Sequence, residues 1–441
     1  MLLILGYGMV IVFMTLIMTK RLSPLTALIL VPVAFGIAGG FTAQLGEMMV
    51  AGISKLAPTG VMLMFAILYF AVMIDAGLFE PFVQRLVALV HGDPMKVVVG
   101  TAVLALLVSL DGDGSTTYMI TTAAMLPLYK ALRMRPLILA CVTMLSSGIM
   151  NILPWGGPTA RAASSLAIDV STVFVPLIPS MVVGAVWVLY VAYRLGVAER
   201  TRLAVQGPGS AAGEAVLDEE LANPDFAEDL SHRRPDRLWV NGALTLVLLA
   251  ALVLAVLPLP VLFMLGFAIA VMVNYPSIEQ QKQLLSRHAG NVLAVVGLIF
   301  AAGVFTGILS GTKMVDAMAE SVVQLVPDAL GPYLAIVTGL LSIPFTFFIS
   351  NDAFYFGVLP ILAKAGEVYG ISAAEMARAS LIGQPVHLLS PLVPSTFLLV
   401  GLAGVDFDDH QRYTLKWALV SAFVLLLVGL MTLVIPVVGR A

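Results

Sequence analysis

Charge is scarce in this chain. Only 11% of its 441 residues are aspartate, glutamate, lysine or arginine, where a soluble domain carries about a quarter. Cysteine occurs once, at Cys141, so no disulfide can close within the chain and no thiolate cluster can hold a metal. The two signs of charge nearly balance; the net of −3 says nothing for a nucleic-acid partner. A GxxxxGK(S/T) loop is missing, which excludes direct drive by ATP on this chain. HExxH, a TVGYG filter and a ladder of spaced arginines are missing too, which removes the corresponding zinc protease, potassium channel and voltage sensor. Apolar residues fill the space: 60% of the chain is hydrophobic and the mean hydropathy is +1.02. No water-soluble fold could cover so much apolar surface with so few charges, so the chain is expected to be an all-α polytopic membrane protein.

Uncharged apolar stretches predict spans near 2–19, 24–41, 59–78, 137–168, 172–194, 238–257, 259–275, 291–310, 375–404 and 414–436. The first lacks a basic leader and a small-residue cleavage site and reads as a span rather than a signal peptide. Two further apolar regions, 96–134 and 331–367, are interrupted at their middles by polar residues and read as re-entrant hairpins whose arms are short for full crossings. Residues 199–236 form a polar, acid-rich linker. With that linker in the cytoplasm, only Lys55, Lys313, Lys364 and Arg440 fall outside, Arg161 and Arg378 lie within spans, and the remaining lysines and arginines fall inside. The two halves, 1–198 and 237–441, follow one plan: two close spans, a third span, a short amphipathic stretch, a hairpin, a broken span and a closing span. Five crossings per half make the second half inverted relative to the first and put both termini outside. Inverted repeats with broken helices at the midplane are a recurring plan of secondary transporters.

Four polar motifs interrupt the apolar text. The first hairpin tip, SLDGDGSTTY, carries Asp111 and Asp113 among glycines, followed by Ser115 and Thr116. Ionisable groups at membrane depth are costly and point to function, against the plainer reading of a polar turn. The first broken span carries NILPWGGPTARA, with Asn151, Gly157, Thr159 and Arg161. Pro154, Gly156, Gly157 and Pro158 cannot continue a regular helix, and the freed backbone groups can meet a solute. Arg161 falls in the first turn of the following half-helix, where a guanidinium suits a carboxylate; the structural alternative is a pair with an acid such as Asp169. The second tip, FISNDAFYFG, supplies Ser350, Asn351 and Asp352. The second broken span, GQPVHLLSPLVPST, supplies Gln384, His387, Ser390, Ser395 and Thr396. His387 reads either as a packing residue or as a proton relay.

At these motifs the sequence resembles the citrate–metal:proton symporter family, within a superfamily of inverted-repeat elevator carriers. The resembling segments are SLDGDGSTTYMIT, MNILPWGGPTARA, SNDAFYFGVLP and GQPVHLLSPLVPSTFLLVGLAGVDFDDHQRYTLKWA. The resemblance implies uptake of citrate complexed with a divalent or ferric ion, symport with protons, no permanently bound cofactor, a homodimer in a bacterial inner membrane, and a mobile domain moving against a scaffold. Sodium-coupled cousins use Ser-Asn-Thr motifs at both tips; here Asp113 and Asp352 replace part of that pattern, which weakens a sodium reading.

The residues bear on the substrate without the family. One arginine and three aspartates would meet at the site. Bare carboxylates beside a tricarboxylate repel it by several kcal/mol at roughly 4 Å and an effective dielectric near 20. Either the aspartates are protonated, or the substrate brings its own cation, which Asp113 and Asp352 help to ligate. The expected division of labour gives Arg161 a substrate carboxylate, the hydroxyls and amides hydrogen bonds, and Asp111, Asp113, Asp352 and His387 the proton or metal. Arg161→Ala and Asp352→Asn are expected to abolish transport and leave the protein folded. Three rivals stand beside this: a sodium- or proton-coupled carrier of another di- or tricarboxylate or sugar acid, a membrane-embedded enzyme using the tip aspartates, and a channel.

Overall fold

A computed structural model describes residues 1–90, 92–206, 234–254, 256–327 and 329–440. Among these every regular element is helical. Two apolar helices, α1 (Leu2–Met18) and α2 (Pro24–Ala38), precede the long α3 (Leu45–Asp75) and the amphipathic α4 (Glu80–Val90). The first hairpin is α5 (Pro94–Val108) and α6 (Gly114–Ala131); the first broken span is α7 (Pro136–Met150) and α8 (Gly157–Ser165); α9 (Val170–Gln206) closes the half. The second half repeats this order: α10 (Leu238–Val253), α11 (Leu259–Asn274), the long α12 (Ile278–Gly311) and the amphipathic α13 (Met314–Leu325). Its hairpin runs from α14 (Leu334–Phe348) through a π-helical segment, Ala353–Val358, into α15 (Leu359–Glu367). Its broken span is α16 (Ala373–Ser380), α17 (Gln384–His387) and α18 (Pro394–Ala403), and α19 (Phe407–Met431) closes it.

Local chemistry explains the breaks. Asp93 caps α5 through the Met95 amide, with Pro94 at the first helical position. Gly112, at φ +80°, ends the first arm in a left-handed conformation, and its Cα faces the Trp155 ring so closely that a Cβ would lie 2.7 Å from it. Ser372 and Glu375 form a reciprocal capping box that starts α16. Pro394 opens α18 and Gly404, at φ +67°, ends it.

Seven of the described helices are long and apolar enough to cross a membrane. Three differences from the sequence reading have physical causes. First, the leading arms of the hairpins, Pro94–Asp111 and Gly331–Phe348, are 18 residues each, long enough to cross by length and composition. Second, α3 and α12 begin well before 59 and 291, because the leading part of each packs on the trailing part of the other: Met48 and Gly52 lie against Gly303–Gly311, and Arg287 and His288 bond Asp75. They cross where Gly52 meets Gly303 and Gly307: a Cβ on Gly52 would lie 2.0 Å from the Gly303 carbonyl oxygen. Gly52→Val is therefore expected to destabilise the protein by at least about 1–3 kcal/mol, read as a lowered melting temperature in detergent. Third, α9 continues through Glu199, Arg200 and Arg202 into what reads as linker. Buried Glu199 accepts from Arg135 and Arg202, and Arg200 pairs with Asp93, so these charges bind α9 to α7 and α5. Most of the predicted linker, 207–233, lies outside the described residues.

Candidate functional site

The two broken spans cross at Gly148 and Pro385, where a Cβ on Gly148 would lie 2.9 Å from the Pro385 Cα. That close crossing brings the polar motifs of both halves into one region. Each hairpin tip then packs against the second half-helix of the other half's broken span: α6 on α18, and the π segment on α8.

At the first tip the aspartates hold the turn. Asp111 accepts from the Asp113 amide at 2.9 Å. Asp113 caps α6, accepting from the Ser115 amide at 3.1 Å, the Thr116 amide at 3.2 Å and the Thr116 hydroxyl at 2.8 Å. Trp155 of the first break donates from its indole nitrogen to the Leu110 carbonyl at 2.8 Å, tying break to tip. The open face of Gly114 looks toward the hydroxyls of Ser395 and Ser147. The aspartates here thus serve the turn's geometry, with Asp113 exposed and Ser115 half-buried beside it.

At the second tip Arg161 donates from Nε to Asp352 Oδ1 at 2.6 Å, and the two side chains are only 24% and 14% exposed. This bond joins residues 191 apart in sequence. Asp169, the partner weighed from sequence, instead accepts from the Ser171 amide and hydroxyl. The Arg161 guanidinium also folds over Gly157, where a Cβ would come within 2.5 Å of it. Asp352 sits immediately before the π segment, a helix irregularity that recurs at functional sites. Ser350 accepts from the Ala353 amide at 3.1 Å and so caps the same segment. Buried His387 directs Nδ1 to the Thr346 carbonyl at 2.6 Å, lies within electrostatic reach of Arg161 and Asp352, and so carries its proton on Nδ1 when neutral.

Several predicted hydroxyls are spent on the backbone. Thr159 donates to the Ile152 carbonyl at 2.7 Å, Ser390 to Phe347 at 2.6 Å, and Thr396 to Leu388. Each satisfies a carbonyl near a helix break, which buried backbone requires. Their hydrogens are committed, so they act as scaffolding here rather than as donors to a solute.

Gln384, which the sequence offers only as one polar group of the second broken span with no role of its own, lies at the centre of the site's hydrogen bonds. It is wholly buried. Its Oε1 accepts from Asn151 Nδ2 at 3.1 Å, and its Nε2 donates to the Tyr355 hydroxyl at 2.8 Å and to Asn351 Oδ1 at 3.4 Å. It thereby links the first break to the second tip. The motif GQPVHLL displayed it, but nothing in one dimension gave it partners.

No group of three or more histidine, cysteine, aspartate or glutamate side chains is gathered for a metal ion among the described residues. A separate crevice between α13 and α14, with described walls of aliphatic residues such as Leu325 and Leu334, offers nothing to orient a carboxylate.

Comparison with known proteins gives this arrangement a context. A family described as citrate transporter matches residues 13–383. A Bacillus subtilis (strain 168) protein named citrate transporter is 59% identical over 431 residues, 98% of this chain and 99% of that protein. Another from the same organism, named Mg(2+)/citrate complex secondary transporter, is 52% identical over 432 residues, 98% of each. Among solved structures, the YdaH transporter of Alcanivorax borkumensis matches with a TM-score of 0.57 at 16% identity, covering 88% of both chains. MtrF of Neisseria gonorrhoeae matches with a TM-score of 0.60 at 14% identity, covering 92% of this chain and 87% of its own. At those identities the structures speak for the fold alone.

Proposed function

The chain belongs to the citrate transporter family, a family of multi-pass membrane transporters and not of enzymes, and from that premise we propose that it takes up citrate as a metal-ion complex in symport with protons. The observation that carries this reading is the bond between Arg161 and Asp352. The arginine suited to a substrate carboxylate is already neutralised by a carboxylate of the protein. For citrate to take the guanidinium, Asp352 must let go. A carboxylate released in apolar surroundings binds a proton rather than remain charged. Binding of substrate and binding of a proton then become one event, and the arginine is never left bare.

The charge balance supports a metal partner in the same way. Citrate carries more negative charge than one guanidinium offsets. Magnesium bound by citrate oxygens reduces that charge before the site is reached, and hard divalent ions favour such oxygens. Asp113 and Ser115 at the first tip, Asn151 at the first break and Asn351 at the second tip are partly open to such a solute. The name of the relative at 52% identity speaks for a magnesium complex in that protein.

The moving part in this reading is the pair of hairpins with the broken spans and their closing helices, α5–α9 and α14–α19. It would slide against α1–α4 and α10–α13 in an elevator-like exchange of access, within a homodimer of a bacterial inner membrane, with the two halves inverted and both termini outside. The Lys364–Asp316 ion pair, 3.5 Å long, bridges the two units through α15 and α13 and would break in that motion.

The test is uptake of radiolabelled citrate into proteoliposomes under an inward proton gradient, without sodium and with Mg²⁺, Ca²⁺, Fe³⁺ or a chelator. Uptake that needs both metal and gradient is the expected result. Metal-independent uptake driven by sodium would discard the coupling and keep the fold.

A further inference from the structure

The hydrogen-bond directions around Gln384 can be traced from a fixed end. The Ser380 carbonyl can only accept, and the Tyr355 hydroxyl donates to it at 3.3 Å. That spends the hydroxyl's single hydrogen, so the Tyr355 oxygen must accept from Gln384 Nε2. The orientation of the Gln384 amide follows: its nitrogen faces Tyr355 and Asn351, and its oxygen faces Asn151. Asn151 must then turn its nitrogen toward Gln384 and its oxygen away. Asn351 must turn its oxygen toward Gln384 and its nitrogen away. Among the described residues nothing engages Asn151 Oδ1 or Asn351 Nδ2, and both side chains are only half-buried. The region therefore presents one amide acceptor and one amide donor, each with its direction set from behind.

An acceptor is the wrong group for a carboxylate and the right one for a hydroxyl hydrogen. We propose that Gln384 is a positioning residue that fixes the polarity of Asn151 and Asn351, so that Asn351 donates to a substrate carboxylate and Asn151 Oδ1 receives the substrate's hydroxyl. The site would thus select hydroxy-carboxylates over carboxylates lacking the hydroxyl. This deepens the citrate reading and rests on it. A polar site built to meet a hydroxyl rejects the analogue that lacks one, because its acceptor is left unpaired.

Tricarballylate, which is citrate without its hydroxyl, is the probe. Its inhibition of radiolabelled citrate uptake into proteoliposomes is compared with that of unlabelled citrate, at one saturating Mg²⁺ concentration. The unaltered protein is expected to prefer citrate by about 10- to 100-fold. Gln384→Met keeps the length and apolar bulk of the side chain and removes the amide. It is expected to lower that preference to less than about threefold, raise KM about tenfold and leave the maximal rate within about threefold. A preference arising only from magnesium binding to the hydroxyl would survive this substitution unchanged, and so would overturn the proposal. Tyr355→Phe, nearly isosteric, frees the Gln384 amide to rotate and is expected to reduce the preference several-fold; should Gln384→Met fail to fold, retention of the full preference in Tyr355→Phe overturns the proposal. Citrate uptake without any preference in the unaltered protein sinks this inference alone. No citrate uptake at all sinks the function on which it rests.

Discussion

Arg161→Ala is expected to lose at least about 30-fold in citrate uptake, the equivalent of about 2 kcal/mol or more for truncating one partner of a charge-assisted pair. Its second consequence follows from the partner left behind. Asp352 would lose its guanidinium in a site where its side chain is 14% exposed, and neutralising it there with a proton still forfeits the attraction of the pair. Removing one member of a buried ion pair costs about 3–5 kcal/mol, and partial exposure of both groups places the cost toward the lower end here. The sequence alone suggested a variant that stays fully stable; the observed pair revises that to a lowered melting temperature. Adding Asp352→Asn removes the stranded carboxylate. The double variant should regain most of the stability and none of the transport. Detergent-based thermal unfolding and proteoliposome uptake, measured on the same preparations, separate the two effects. A double variant that recovered transport would reduce the pair to a structural role.

Asp352→Asn alone carries the other large effect. The asparagine cannot bind a proton at neutral pH, yet it can still accept a hydrogen bond from Arg161. The guanidinium is then held by a neutral partner and is open to citrate at any pH. Net uptake driven by an imposed proton gradient should fall by about tenfold or more, since one carboxylate in place of one amide decides whether a proton travels. Exchange of internal for external citrate, which needs no net proton movement, should persist, so the complete loss of transport expected from sequence narrows to a loss of coupling. Equal loss of exchange and gradient-driven uptake would mean that Asp352 is needed for access or folding rather than coupling.

The parts of the fold that were legible from sequence are those fixed by local chemistry. Gly112 and Asp113 mark a tip because one permits a left-handed turn and the other caps the next helix. Pro154, Gly156 and Pro158 mark a break because a proline denies the turn before it a hydrogen bond, and Pro158 is accommodated only in the first turn of α8. Helix ends that depend on distant partners were hidden. Glu199, Arg200 and Arg202 look like linker charge in one dimension, and become helix only because Arg135, Arg133 and Asp93 wait for them. The polar start of α12 looks like a loop until Arg287 and His288 are seen against Asp75.

The site divides in the same way. Arg161, Asp352, Asn151 and Asn351 were visible as polar residues in apolar text. Their pairing was not, since the Arg161–Asp352 bond spans the two halves of the chain and depends on the crossing at Gly148 and Pro385. Thr159, Ser390 and Thr396 shared the same visibility and turn out to repair carbonyls. A hydroxyl beside a helix break has two ready uses, and only the acceptor's position distinguishes them.

Proton uptake on binding tests the central claim most directly. Purified protein is titrated with magnesium citrate by calorimetry in buffers of different ionisation enthalpy, beside the Asp352→Asn variant. If citrate displaces Asp352 from Arg161, binding near neutral pH takes up about one proton more in the unaltered protein than in the variant. Equal proton uptake in the two would contradict the exchange of partners and leave Asp352 as a fixed counter-ion.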